Sequence, residues 1–289
     1  MTIESVFDIS IDHGEGPLWD VQTNSLYWVD LFAGEFYKGD PATGEFTKKS
    51  IGQPLGVMAL REAGGMVLAA HEGFGFTDME PNSPVTLFNN PQPHFPETRF
   101  NDGKIDPLGN FVAGTMTFTG EQPIGHLYRL QPDKTVDCLE SELMLSNGID
   151  WSPDSNTCYL VDTNRHVVYA YDYNLRNVAI SNRRNFIDFS KDEFPDGLCI
   201  DTAGNCWIAM WGSSQLIQFD ATGKKSKVIE LPVTHPTSCC FGGPQLSTLF
   251  ITTSKHVLTA DEIRQQPLAG KILKIETAFQ GQVMRRFKG

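Results

Sequence analysis

The sequence predicts an all-β fold, a six-bladed β-propeller with four-stranded blades around a central channel, on three observations. One plan of turn and apolar strand recurs along the whole chain, its period suits about four strands per unit, and helical periodicity is scarce. Many short strands at regular spacing fit a sandwich, a barrel or a propeller; a repeat this long favours the propeller, in which each sheet packs on its neighbours.

The units follow in order. The first runs through Glu15-Gly16-Pro17-Leu18-Trp19-Asp20 to the apolar Leu26-Tyr27-Trp28-Val29. The second pairs Leu55-Gly56-Val57-Met58 with Met66-Val67-Leu68-Ala69-Ala70, and the third pairs Asn101-Asp102-Gly103-Lys104 with Phe111-Val112-Ala113-Gly114. The fourth joins Asn147-Gly148-Ile149-Asp150-Trp151 to Cys158-Tyr159-Leu160-Val161-Asp162. The fifth joins Asp196-Gly197-Leu198-Cys199 to Cys206-Trp207-Ile208-Ala209-Met210, and the sixth Thr237-Ser238-Cys239-Cys240 to Leu249-Phe250-Ile251-Thr252. Aligned on Gly16, Gly56, Gly103, Gly148, Gly197 and Ser238, successive subtraction gives 40, 47, 45, 49 and 41 residues. A third strand ending in an acidic turn is visible at Val167–Asp172 and Gln215–Asp220, and turn chemistry follows in Pro41-Ala42-Thr43-Gly44. The one helical candidate is the short stretch Thr259–Gln266. Val6–Ile11, which precedes the first unit, is expected to join the last blade and close the ring. One domain over residues 1–289 accommodates the whole pattern.

Composition narrows the partners. Aromatic and β-branched residues are spread throughout, which argues against disorder. The formal net charge of −12, with no basic run, argues against nucleic acid and against an anionic membrane surface. No C-x-x-C pair occurs among the six cysteines, and the opening Met-Thr-Ile-Glu-Ser has neither a basic start nor a long apolar run. A reduced, cytoplasmic protein is the expectation. Trp19, Trp28, Trp151, Trp207 and the Cys239-Cys240 pair fall on expected strands and are assigned to packing.

The residues that depart from the apolar plan carry the chemistry. If the first strand of each blade lines the channel, the residue before the aligned position recurs once per blade at one mouth. Those residues are Glu15, Leu55, Asp102, Asn147, Asp196 and Thr237. Taken singly, Asp-Gly and Asn-Gly are ordinary turn pairs. Four polar residues in register across one repeat, Glu15 among them, form a ring of oxygen donors instead. Carboxylates crowded in this way repel one another, and the pattern predicts a hard divalent cation between them. Arg99, just upstream of Asp102, presents a planar multi-donor cation to a hydroxylated or anionic ligand, or else makes a surface salt bridge. Other chemistry is absent: there is no G-x-S-x-G nucleophile elbow, no H-E-x-x-H, no complete P-loop and no complete EF-hand.

These motifs resemble those of the senescence marker protein/gluconolactonase/regucalcin family, which includes luciferin-regenerating enzyme-like proteins. The markers are Gly14-Glu15-Gly16-Pro17, Arg99-Phe100-Asn101-Asp102-Gly103-Lys104, Gly114-Thr115-Met116, Ser146-Asn147-Gly148, Pro195-Asp196-Gly197 and Ser238-Cys239-Cys240-Phe241-Gly242-Gly243, spread over nearly the whole chain. The resemblance implies a propeller holding one divalent metal (calcium, zinc, manganese or magnesium) through Glu15, Asn147 and Asp196. It implies a lactonase acting on a sugar lactone, with Asp196 as catalytic acid/base and Arg99 and Asn101 in contact with substrate. Glu121 is the nearest acid to a further substrate-binding position after the Gly-Thr-Met motif. Two alternatives remain open at this point: a metal-dependent esterase or organophosphate hydrolase, and a non-catalytic calcium-binding regulator.

Overall fold

In a computed structural model describing residues 2–80, 82–176 and 178–289, the repeats become six four-stranded antiparallel sheets. Blade one contains Gly14–Asp20, Ser25–Asp30, Glu35–Gly39 and Phe46–Ser50, in that spatial order from inside to outside. The other blades begin with Leu55–Leu60, Thr98–Ile105, Ser146–Trp151, Phe194–Ile200 and Pro236–Gly242. These innermost strands touch one another in sequence around the ring.

The second strands read as continuous apolar runs because both of their faces are covered. In Leu26-Tyr27-Trp28-Val29, Leu26 and Trp28 pack toward blade six while Tyr27 and Val29 pack toward blade two. Among the described residues the buried apolar side chains form one cluster at each junction between consecutive blades. The core is therefore a ring of interfaces. Outer strands such as Phe46–Ser50 are mostly exposed, which matches their lysines and threonines. The tryptophans assigned to packing are at most 3% exposed, and Cys239 and Cys240 are buried as well. The helix forms at Ala260–Gln265, capped by Thr259 in a reciprocal capping box with Glu262. Among the described residues no helix is long and apolar enough to cross a membrane.

Ring closure differs in register from the expectation. The N-terminal segment does join blade six, but the paired strand is Glu4–Ser5, against Leu273–Glu276, and not Val6–Ile11. Val6–Ile11 instead crosses from blade six to blade one, because its apolar side chains are used for packing. Phe7 stacks on Trp28 at 4.7 Å, and Phe7 and Ile11 both lie in the cluster between these blades.

The C-terminal residues cover the channel mouth away from the site. Gln282 Nε2 donates to Trp151 O and Ile200 O, Arg286 pairs with Asp20, and Phe287 is fully buried between blades two and three.

Candidate metal centre

Every innermost strand slips register at the aligned position. The slips fall between Glu15 and Leu18, Leu55 and Val57, Phe100 and Gly103, Ser146 and Ile149, Pro195 and Leu198, and Pro236 and Ser238. A bulge leaves its extra residue unpaired and re-aims the side chain. The Asx-Gly pairs are thus inside strands, and the turn alternative does not hold for them. Their glycines answer to close packing between blades: a Cβ on Gly148 would lie 2.4 Å from Leu198 N, and one on Gly197 would lie 2.1 Å from Ser238 Oγ.

Glu15, Asn147 and Asp196 line one cavity of about 280 Å³. All three are at most 5% exposed. Asn147 donates through Nδ2 to both Asp196 Oδ1 and Thr163 Oγ1, while the Thr163 hydroxyl donates to Pro195 O at 2.7 Å. The amide orientation is thereby set, and Asn147 Oδ1 is left buried without a hydrogen-bond partner. Among the described residues Glu15 Oε2 accepts only from the neighbouring Gly16 N, at 3.0 Å. Burial holds Glu15 well above the usual carboxylate range, and the charges of Asp196 and Asp102 raise it further. Burial likewise raises Asp196, against the opposing hydrogen bond from Asn147. Two such carboxylates lining one cavity with an unpaired amide oxygen are a donor set suited to a hard divalent cation. Among the described residues no group of three or more His, Cys, Asp or Glu side chains is placed to hold a metal, so a ligand set here depends on the amide.

Arg99 and Asn101 line the same cavity. Arg99 is 6% exposed and makes no salt bridge among the described residues, so the surface-bridge alternative falls away. Its Nη1 donates to Asn101 Oδ1 at 2.6 Å, its Nε has no partner, and burial lowers it to about 10. Asn101 Nδ2 donates to Ser146 O at 3.0 Å, which makes Asn101 a brace between Arg99 and blade four.

Not every member of the ring reaches this cavity. Asp102, pushed up to about 6 by burial, lines a deeper channel chamber with Lys104, whose Nζ pairs with Asp150 at 2.7 Å. Leu55 packs between blades one and two, and Thr237 Oγ1 donates to Gly14 O. Glu121, the acid expected near the substrate, is exposed and outside the cavity wall. The cause is local: the turn through Gly120 is tied to Thr117 and to Asn164 Nδ2, so Glu121 lies beyond the anchored residues.

The wall also contains residues that sequence reasoning missed: His13, Met116, Leu145, Thr163, Asn164, Phe194 and Trp211. His13 had a signal, since it sits two positions before Glu15 and shares its side of an extended chain. Burial and the Arg99 charge lower it to about 3, so it is neutral at physiological pH. Thr163 and Trp211 follow or end the second strands of blades four and five, where no chemical motif marks them.

Fold and cavity together define a propeller with a buried acid–amide–arginine pocket at one mouth of its channel. Residues 13–255 match the family described as SMP-30/Gluconolactonase/LRE-like region. The chain is 37% identical to regucalcin of Xenopus laevis over 280 residues, covering 94% of this chain and 93% of that protein. A luciferin-regenerating enzyme structure superposes with a TM-score of 0.92 at 28% identity, covering 100% and 99% of the two chains. A regucalcin from Agrobacterium tumefaciens, described as a calcium-binding protein, superposes with a TM-score of 0.93 at 24% identity, covering 99% and 97%, a likeness of fold. The chain belongs to the SMP-30/gluconolactonase/LRE-like family.

Proposed function

We propose that the protein is a metal-dependent lactonase that opens a sugar lactone to its aldonic acid, with Glu15, Asn147 and Asp196 holding the cation. The observation that carries this reading is Asn147 Oδ1, buried without a partner beside two buried carboxylates that burial disfavours as anions. The cation would supply Lewis acidity, polarising the ester carbonyl and making a water more acidic. Asp196, which accepts from Asn147 through Oδ1, would take the attacking water's proton and return one to the leaving ring oxygen. Arg99, with Nε unpaired and Asn101 bracing Nη1, orients the lactone and stabilises charge developing on its carbonyl oxygen. The relatives named regucalcin favour calcium among the candidate cations.

The test is a hydrolysis panel of five- and six-membered aldonolactones and aryl esters. Chelated protein is assayed with calcium, zinc, manganese or magnesium added back. The reading expects cation-dependent lactone opening that exceeds ester turnover. Ester turnover alone favours an esterase on this scaffold. Calcium binding without turnover of any compound favours the non-catalytic regulator.

A further inference from the structure

The cavity wall has few polar groups left to read a substrate. Asn101 uses both ends of its amide within the protein, the Thr163 hydroxyl is bound to Pro195 O, and Asn164 Nδ2 is bound to Gly120 O. Arg99 retains Nε, and His13 retains one ring nitrogen: Nδ1 is 2.9 Å from Ser254 Oγ, which leaves Nε2. Beside His13 stands the indole of Trp211, with ring centroids 5.7 Å apart. Trp211 is the cross-strand partner of Phe194, close to Asp196 on the inner strand, and His235 packs on it at 4.2 Å. Phe32 lies 5.2 Å from His13. Blades one and five thus give the cavity wall an aromatic bank of His13, Phe194 and Trp211, on which Nε2 of His13 has no hydrogen-bond partner among the described residues. A flat aromatic surface beside an imidazole nitrogen suits a ring with one C–H face and hydroxyls at its edge.

We propose that His13 and Trp211 form the specificity face of this cavity, with the indole carrying the C–H face of a sugar-like lactone ring and His13 Nε2 reading one ring hydroxyl. The proposal rests on the lactonase reading for its choice of ring. It places discrimination on the wall formed by blades one and five, while Arg99 handles the carbonyl end.

The experiment uses the full chain loaded with calcium, as wild type and as the variants His13→Phe, His13→Gln and Trp211→Phe. Melting curves establish folding of each. Rates are measured on an aldonolactone and on a set of analogues each lacking one ring hydroxyl. Tryptophan fluorescence is titrated with a six-membered aldonolactam, which is not an ester. Trp19, Trp28, Trp151 and Trp207 are at most 3% exposed in blade cores, so a ligand-linked change reports on Trp211. The expected result is a fluorescence change in wild type that disappears in Trp211→Phe. For one analogue, the preference of wild type for the hydroxylated ring, expressed as a ratio of kcat/KM, falls about five- to tenfold in His13→Phe and recovers in His13→Gln. The proposal is overturned if wild type shows no fluorescence change, if the change survives in Trp211→Phe, or if the ratio is the same in His13→Phe for every analogue. The two readings separate cleanly. Lactam binding at Trp211 without lactone turnover sinks only the lactonase, whereas turnover with unaltered ratios sinks only this face.

Discussion

Glu15 and Asp196 are carboxylates whose charge burial disfavours, and this has measurable consequences without a cation. Their raised values mean that the folded state binds more protons than the unfolded state between the ordinary carboxylate range and the folded values. Stability of the chelated protein therefore falls as pH rises through that window. His13 acts oppositely, since it stays neutral when folded but gains a proton when unfolded below about 6.5. Melting temperature of the chelated protein is expected to fall as pH rises through the folded-state carboxylate range, and added calcium is expected to flatten the profile. A flat profile without metal contradicts the electrostatics. For the same reason Asp196→Asn should raise the metal-free melting temperature at pH 8, by about 2–4 °C per kcal/mol relieved, while abolishing lactone turnover. At Arg99 the expectation is different: Arg99→Ala should keep its metal and lose about ten- to a hundredfold in kcat/KM. Loss of metal in that variant, read by elemental analysis, would reassign the residue. At this scale the candidate ligands were legible because the repeat turns sequence register into position around a ring. The position of Glu121 outside the cavity wall was not legible, because hydrogen bonds at Gly120 decide where its loop goes.

Elements show why the bulges matter. The register slips leave Asn147 and Asp196 out of the regular pairing, and the slip in blade one begins directly after Glu15, which keeps its partner Val29. The bulges were not legible. The glycines that accompany them were, but their reason lies in the neighbouring blade. Gly197→Ala would force a Cβ to 2.1 Å from Ser238 Oγ, and a loss of about 1–3 kcal/mol in chemical denaturation is expected. The closing segment was legible as a partner of blade six but not in register, since a strand of Glu4–Ser5 is too short to show alternation. Its anchor is Phe7, 2% exposed and stacked on Trp28. Phe7→Ala is expected to cost about 3–5 kcal/mol, and deletion through Ile11 more. A variant with an unchanged denaturation midpoint would remove the segment from ring closure.

At the scale of the molecule, the ring of blade interfaces brings residues of separate blades to one pocket, and the C-terminal residues cover the opposite mouth. The blade number was legible from the period alone. The covering tail was not, because Gln282–Gly289 follows the last strand and belongs to no repeat. The central claim is that side chains from blades one, four and five grip one divalent cation. Calorimetric titration of chelated protein with calcium, comparing wild type with Glu15→Gln, Asn147→Ala and Asp196→Asn, tests it most directly. One ion per chain is expected in wild type, with weakened or absent binding in each folded variant. Binding of equal affinity and stoichiometry in all of them would contradict it.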